Sequence, residues 1–170
     1  MKGKKIIAAA GVSAMLALTS CKENMIMSPP DLSGNIEMKG TVSCGTLKAE
    51  AEIKRTDGTW TILYTAPDSL CGMEIVTDGT ECKVTHSGIA FDYKNEDVPF
   101  ITAVDYITAS IDSTKDAANI SLSQNGNGTT LSGSVLSSGF QIVLDKEQNI
   151  VSLSAGDYKF TAVKNDKEES

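Results

Sequence analysis

Leu47-Lys-Ala-Glu-Ala-Glu-Ile-Lys-Arg-Thr56, then Asp57-Gly58, then Thr59-Trp-Thr-Ile-Leu-Tyr-Thr-Ala66 is the stretch whose reading decides the fold. Leu47, Ala49, Ala51 and Ile53 alternate with Lys48, Glu50, Glu52 and Lys54, the period-two pattern of a half-buried strand. Asp-Gly supplies the two residues that tolerate positive φ in a tight hairpin turn. With Thr56 set against Thr59, Ile53 faces Ile62 and Ala51 faces Tyr64, and Trp60, Ile62, Tyr64 and Ala66 join the apolar face. Both strands then agree on which side is wet, and this fixes the register, because a one-residue slip would invert every side chain.

The same alternation extends on both sides of this hairpin. Upstream, Ile36, Met38, Val42 and Cys44 alternate with Glu37, Lys39, Thr41 and Ser43 before a turn at Gly45. Downstream, Pro67-Asp68-Ser69 interrupts the ladder, since proline cannot donate to it. A second Asp-Gly pair, Asp78-Gly79, predicts a hairpin with Thr77 opposite Thr80, Met73 opposite Val84, Ile75 opposite Cys82 and Glu74 opposite Lys83. Ser87-Gly88 turns into Ile89, Phe91 and Tyr93. One helix follows, capped by Asp97 with Pro99 in its first turn. Phe100, Val104, Ile107 and Ile111 form its apolar stripe, suited to dock on a sheet, and Thr102, Asp105 and Asp112 take the other side. Beyond it the signal is all strand. Ile120 and Leu122 meet Leu131 and Gly133, followed by runs at Phe140–Leu144, Ile150–Leu153 and Tyr158–Ala162. The chain is therefore expected to be mainly β (α+β): about eleven strands in an antiparallel meander, interrupted once by a helix.

The whole chain has a net charge of −7, and its first twenty residues hold three lysines and no acid, so the remainder is more acidic still. Such a surface excludes nucleic acid as a partner and offers no electrostatic adhesion to anionic headgroups. Lys2, Lys4 and Lys5 precede an apolar run from Ile6 to Leu18 broken by Gly11 and Ser13, the n-region and h-region of a secretory signal. At roughly a dozen residues the run is short of the ~20 that span a bilayer as a helix. Leu18-Thr19-Ser20-Cys21 resembles the bacterial lipobox. The resemblance implies that Cys21 is lipidated on its thiol and becomes the first mature residue, attached to the membrane through acyl chains such as palmitate. Lys22–Gly34, with Pro29 and Pro30, has no periodicity and reads as a tether of roughly 20 Å. The expected organisation is a signal peptide over 1–20, a flexible tether over 21–34, a β domain over 35–163 and a disordered tail over 164–170. The protein is then expected on the extracytoplasmic face of the cell membrane or envelope.

The run from Trp60 through Pro67, Leu70 and Gly72 to the hairpin at Asp78-Gly79 resembles the LolA-like superfamily. That group comprises the lipoprotein-localisation factors LolA and LolB and lipid-binding lipoproteins related to LppX. The remaining half is similar only in its order of elements. The resemblance implies a strongly curved, open half-barrel with the helix on its concave face and an apolar groove for acyl chains. Its lining would come from Ile36, Met38, Ile53, Trp60, Ile62, Tyr64, Met73, Ile75, Val84, Phe91 and Phe140, though the same residues also make an ordinary core. The single-arginine lock of some carriers has no clear counterpart here, since Arg55, the one arginine, sits beside a turn.

No catalytic constellation, metal-ligand spacing or cofactor motif occurs in the sequence. His86, the one histidine, is expected opposite Cys71 on the inward face. The pair lacks an orienting acid and a helix N-terminus to activate the thiol, and it reads as structural. Cys44 and Cys71 are the expected disulfide, both at strand ends on one side of the sheet, and Cys82 is expected to pack as a small apolar residue. The sequence thus describes a non-enzymatic, membrane-anchored envelope lipoprotein, and two functions stand. In one, the sheet is a stationary holder of an acyl lipid or lipoprotein chain. In the other, the interior is packed and the domain is an interaction scaffold for an envelope enzyme.

Overall fold

The Leu47–Ala66 hairpin forms in the register its turn dictates: β2 (Leu47–Thr56) and β3 (Thr59–Ala66) pair Thr56 with Thr59, Ile53 with Ile62 and Ala51 with Tyr64. The computed structural model describes residues 29–93, 98–126 and 128–163. The signal segment, the lipidation residue Cys21, residues 22–28 of the tether, the expected cap Asp97 and the tail over 164–170 lie outside the described residues.

The first half of the domain runs β1 (Ile36–Cys44), β2, β3, β4 (Glu74–Thr77), β5 (Cys82–His86) and β6 (Ile89–Asp92). The helix α1 (Pro99–Ser113) and a single 3-10 turn at Ala117–Asn119 come next. The second half runs β7 (Ser121–Asn125), β8 (Gly128–Val135), β9 (Ser138–Leu144), β10 (Ile150–Ala155) and β11 (Tyr158–Ala162). All eleven belong to one sheet of order β6-β5-β4-β3-β2-β1-β11-β10-β9-β8-β7. The chain thus starts in the middle of the sheet, meanders to one edge, crosses as α1 to the other edge and meanders back until β11 pairs with β1. Among the described residues every pairing is antiparallel and β6 and β7 are the sheet's edges, so the half-barrel is open.

The inner face is set by the period-two pattern. Val42, Ala49, Ala51, Ile53, Ile62, Ile75, Val84, Leu131, Ile142, Leu153 and Phe160 point inward and are buried. The helix packs on β1 and on β8 to β11 and closes this face with Ile101, Val104, Ile107 and Ile111, all buried. Fully burying side chains of this size stabilises by about 1.5–3 kcal/mol each. Its buried hydroxyls are satisfied within the helix: Thr108 donates to the Val104 carbonyl and Ser110 to that of Tyr106. Val98 is the N-cap residue and makes no side-chain cap bond. Pro99 at the next position has no N–H to leave unsatisfied. The outer face of β1 and β2 is an ion-pair ladder, Lys39 with Glu52 at 2.6 Å and Lys54 with Glu37 at 3.1 Å. Both are exposed pairs of little energetic weight.

The β4–β5 hairpin corrects the sequence reading. Thr77 pairs with Cys82, Ile75 with Val84 and Val76 with Lys83, a register two residues away from the expected one, so Glu74 faces Thr85 rather than Lys83. The cause is the Asp78 carboxylate, which accepts from Thr80 N, Thr80 Oγ1 and Glu81 N at 2.7–2.9 Å. This side-chain turn takes four residues where Asp-Gly alone would need two. A shift of two preserves the faces, so Ile75 and Val84 still point inward.

Candidate functional site

The inner face is where the resemblance implied a groove, and there the nominated residues make a packed core. Of the eleven residues named as lining, nine are buried: Met38, Ile53, Trp60, Ile62, Tyr64, Met73, Ile75, Val84 and Phe140. Ile36 is half-buried against them. Phe91 departs from the expectation. It is 48% exposed because β6 is the edge strand, and all four of its residues are exposed. Tyr64 donates its hydroxyl to the Phe100 carbonyl at 2.7 Å, and the two rings meet edge to face at 5.5 Å. Burial pushes the Tyr64 hydroxyl well above the usual phenol range, so it stays a donor. Among the described residues no buried side-chain nitrogen or oxygen lacks a partner.

The most concentrated polar chemistry lies beneath the end of α1. Arg55 is 1% exposed. Its Nη1 donates to Asp112 Oδ1 at 2.8 Å, its Nη2 to the carbonyls of Leu32 and Gly34 at 2.6 Å, and its Nε to Gly34 at 3.1 Å. The guanidinium carbon lies 5.1 Å from the centre of the Trp60 ring, within cation–π range. Trp60 Nε1 donates to the other Asp112 oxygen at 2.8 Å, and Lys115 caps Asp112 Oδ1 at 3.0 Å. Asp112, expected on the solvent side, is therefore the helix's clasp to β2 and β3. Arg55, expected beside a turn, also ties the incoming chain at Leu32–Gly34 to that clasp. The signal available in the sequence was parity: Arg55 continues the inward series Leu47, Ala49, Ala51 and Ile53.

Away from the clasp, Asp105 on α1 lies close enough to Cys82 on β5 for its charge to act on the thiol. Partial burial raises the Asp105 carboxyl. The Cys82 thiol is pushed up to about 11, by burial first and the Asp105 charge second. Such a thiol is a poor nucleophile at neutral pH. The disulfide expected between Cys44 and Cys71 is not formed; both are free thiols, Cys71 exposed and Cys44 half-buried. Cys44 ends β1 and Cys71 lies in the turn after β3, with β2 between them. Two strand spacings, about 10 Å, exceed the ~7 Å limit for bridging Cα atoms. The revised β4–β5 register also moves His86: continuing it, His86 faces Met73, and Cys71 lies in the turn beyond. A hollow of about 760 Å³ lies past the end of α1, lined by Ser113, Asp116, Asn119, Ser121, Ser132, Gly133 and Ser134. Hydroxyls, an amide and a carboxylate are the wrong lining for an acyl chain. No group of three or more His, Cys, Asp or Glu among the described residues could hold a metal ion. No helix among them is long and apolar enough to cross a membrane.

No protein-family model matches the chain, and no curated protein matches it. Among solved structures it is similar to an uncharacterized conserved protein from Thermus thermophilus, with 11% identity, a TM-score of 0.47, and coverage of 75% of this chain and 76% of that one.

Proposed function

We propose that this protein is a membrane-anchored, non-enzymatic envelope lipoprotein whose domain works as an interaction scaffold with a packed interior. The observation that carries this is the filling of the inner face by α1, with nine of the eleven nominated lining residues buried. A holder of acyl chains needs an apolar hollow in the resting state or a cover that leaves at low cost. Here the cover shares the main core and is clasped by Arg55, Trp60 and Tyr64. Anchoring rests on the lipobox-like Leu18–Cys21, and membership of the LolA-like superfamily is proposed with it, on the Trp60–Gly72 run.

Magnitudes also favour a stationary role. Burying a 16-carbon chain is worth about 12 kcal/mol relative to water but near zero relative to a bilayer. Acyl chains on Cys21 would thus hold the protein in place. Native mass spectrometry of the mature domain, freed of its anchor and mildly extracted, tests the packed interior. The expected spectrum is ligand-free, with no uptake of acyl probes; a stoichiometric co-purifying lipid would overturn the scaffold in favour of the acyl holder.

A further inference from the structure

The two ends of the strands differ in chemistry. At the end where Leu32 and Gly34 meet Arg55, the turns carry Asp57, Asp78, Glu81, Asp145 and Glu147 against Lys146. At the opposite end the turns are Gly45-Thr46, Pro67–Gly72, Ser87-Gly88, Leu136-Ser137 and Gly156-Asp157, with Asp68 and Asp157 as their acids. This second end is taken as the mouth of the half-barrel, and the inward series of its central strands ends there in partly exposed apolar residues, Cys44, Leu47 and Tyr158. Cys44 pairs there with both Leu47 and Tyr158. Tyr106 of α1 stacks on Tyr158 with ring centres 5.1 Å apart, and both are half-buried. Leu47 is 48% exposed on one side of the pair, and Leu136 is 54% exposed on the other. From β2 to β9 is four strand spacings, about 19 Å. Leu136 and Ser137 have φ of 47° and 65°, left-handed positions that Gly or Asn occupy at lower steric cost. An exposed leucine held in such a conformation is unfavourable locally and in water, so its use lies outside the fold.

We infer that this mouth, with the Tyr106–Tyr158 pair at its centre between Leu47 and Leu136, docks a second envelope protein through an apolar patch; this rests on the anchored-scaffold reading. Tyrosine and large apolar residues without charge form the centres of protein interfaces. The length of chain argues against the membrane as occupant. The ten residues Lys22–Asp31 span at most about 36 Å, and they join the domain at the acidic end. The ten residues of β2 already measure about 34 Å at ~3.4 Å each. The mouth could therefore turn squarely onto the bilayer only with that segment drawn taut along the whole domain. A second copy is disfavoured by direction, because two chains anchored in one membrane present their mouths the same way.

The test is site-specific photo-cross-linking of the full lipidated chain in intact cells. The cross-linker is placed at Leu47 or Leu136 in the mouth, or at Asp57 or Lys146 at the acidic end. One protein adduct of defined mass is expected from both mouth positions and none from the acidic end. Leu136→Asn, which suits the backbone and should hold or raise the melting temperature, is expected to reduce the Leu47 adduct by at least about fivefold; Tyr158→Ser serves as a second variant. Lipid adducts at the mouth, or an adduct of twice the chain mass, would overturn the inference. Adducts from the acidic end alone would overturn the location while leaving the scaffold standing, and no protein adduct from either end would sink both.

Discussion

Arg55 shows how one residue can join three parts of the chain. Its guanidinium is taken from water by β2, Trp60 and the end of α1, and its charge is met by the Asp112 carboxylate and two backbone carbonyls. Removing one partner of a buried ion pair costs more than the pair contributes, because the remaining charge is stranded. Asp112→Ala is accordingly expected to destabilise the domain by about 3 kcal/mol in urea melts, leaving Arg55 and Trp60 Nε1 without their acceptor. Lys115→Ala, which removes the exposed third member, should cost below about 1 kcal/mol. Equal effects of the two substitutions would show that the clasp is an ordinary surface ion pair. Burial of the one arginine was hidden by its neighbours, since a lone charge two places before Asp-Gly reads as solvated. Gly40 carries a different lesson. A Cβ there would overlap the Thr161 carbonyl oxygen and come within 2.8 Å of the Phe160 ring. Gly40→Ala should cost about 2 kcal/mol through overpacking, seen as a lower denaturation midpoint with an unchanged slope.

At the scale of elements, local chemistry decided which sequence readings held. The first Asp-Gly hairpin was legible because its flanking threonines left one register compatible with both apolar faces. The second was not, because the Asp78 side chain, rather than the backbone alone, sets the loop length. Hydrogen bonds from Glu81 N and then Thr80 hold the Asp78 carboxyl down to about 2. A depressed carboxyl contributes stability that is present above its unfolded value of 3.8 and is lost as pH falls through that value toward about 2. Asp105 acts with the opposite sign. Burial raises its carboxyl, so the folded state binds the proton more tightly and stability is lost as pH rises above 3.8. Asp105→Asn is therefore expected to raise the melting temperature at pH 7 by roughly a few degrees and to make no difference near ~pH 3, where both states of Asp105 are protonated. A gain of the same size at both pH values would place its origin in packing. Burial and, second to it, the Asp105 charge raise the Cys82 thiol. Alkylation at pH 8 should consume the exposed Cys71 first, and Asp105→Asn should speed the reaction of Cys82.

For the whole molecule, the sequence made the hairpins and the helix legible but not the order of strands. Neighbouring strands within each half follow from short turns, whereas β1 beside β11 is a pairing across the full length of the domain with no turn to announce it. That pairing is the seam on which the sheet depends. It matches Val42 with Phe160 and Gly40 with Ala162, and Val163 N continues it to the Lys39 carbonyl at 2.8 Å. Without β11 the sheet would divide into β1–β6 and β7–β10, joined by α1 alone, with two new open edges. A chain ending at Gly156 would also lose Phe160, which is fully buried, and truncating such a residue typically costs about 3–5 kcal/mol even when the strand remains. A domain of this size has only about 5–15 kcal/mol of stability in total. The expected outcome is a truncated chain with no cooperative melt by circular dichroism, binding dyes that report exposed apolar surface. A chain ending at Val163 should melt like the full-length protein, since it keeps the seam and every buried side chain of β11. If the Gly156 truncation still melted cooperatively, α1 and one half-sheet would form a sufficient core by themselves. The clasp at Arg55 and Asp112, which binds α1 to the β1–β6 half, would then be what holds the fold together.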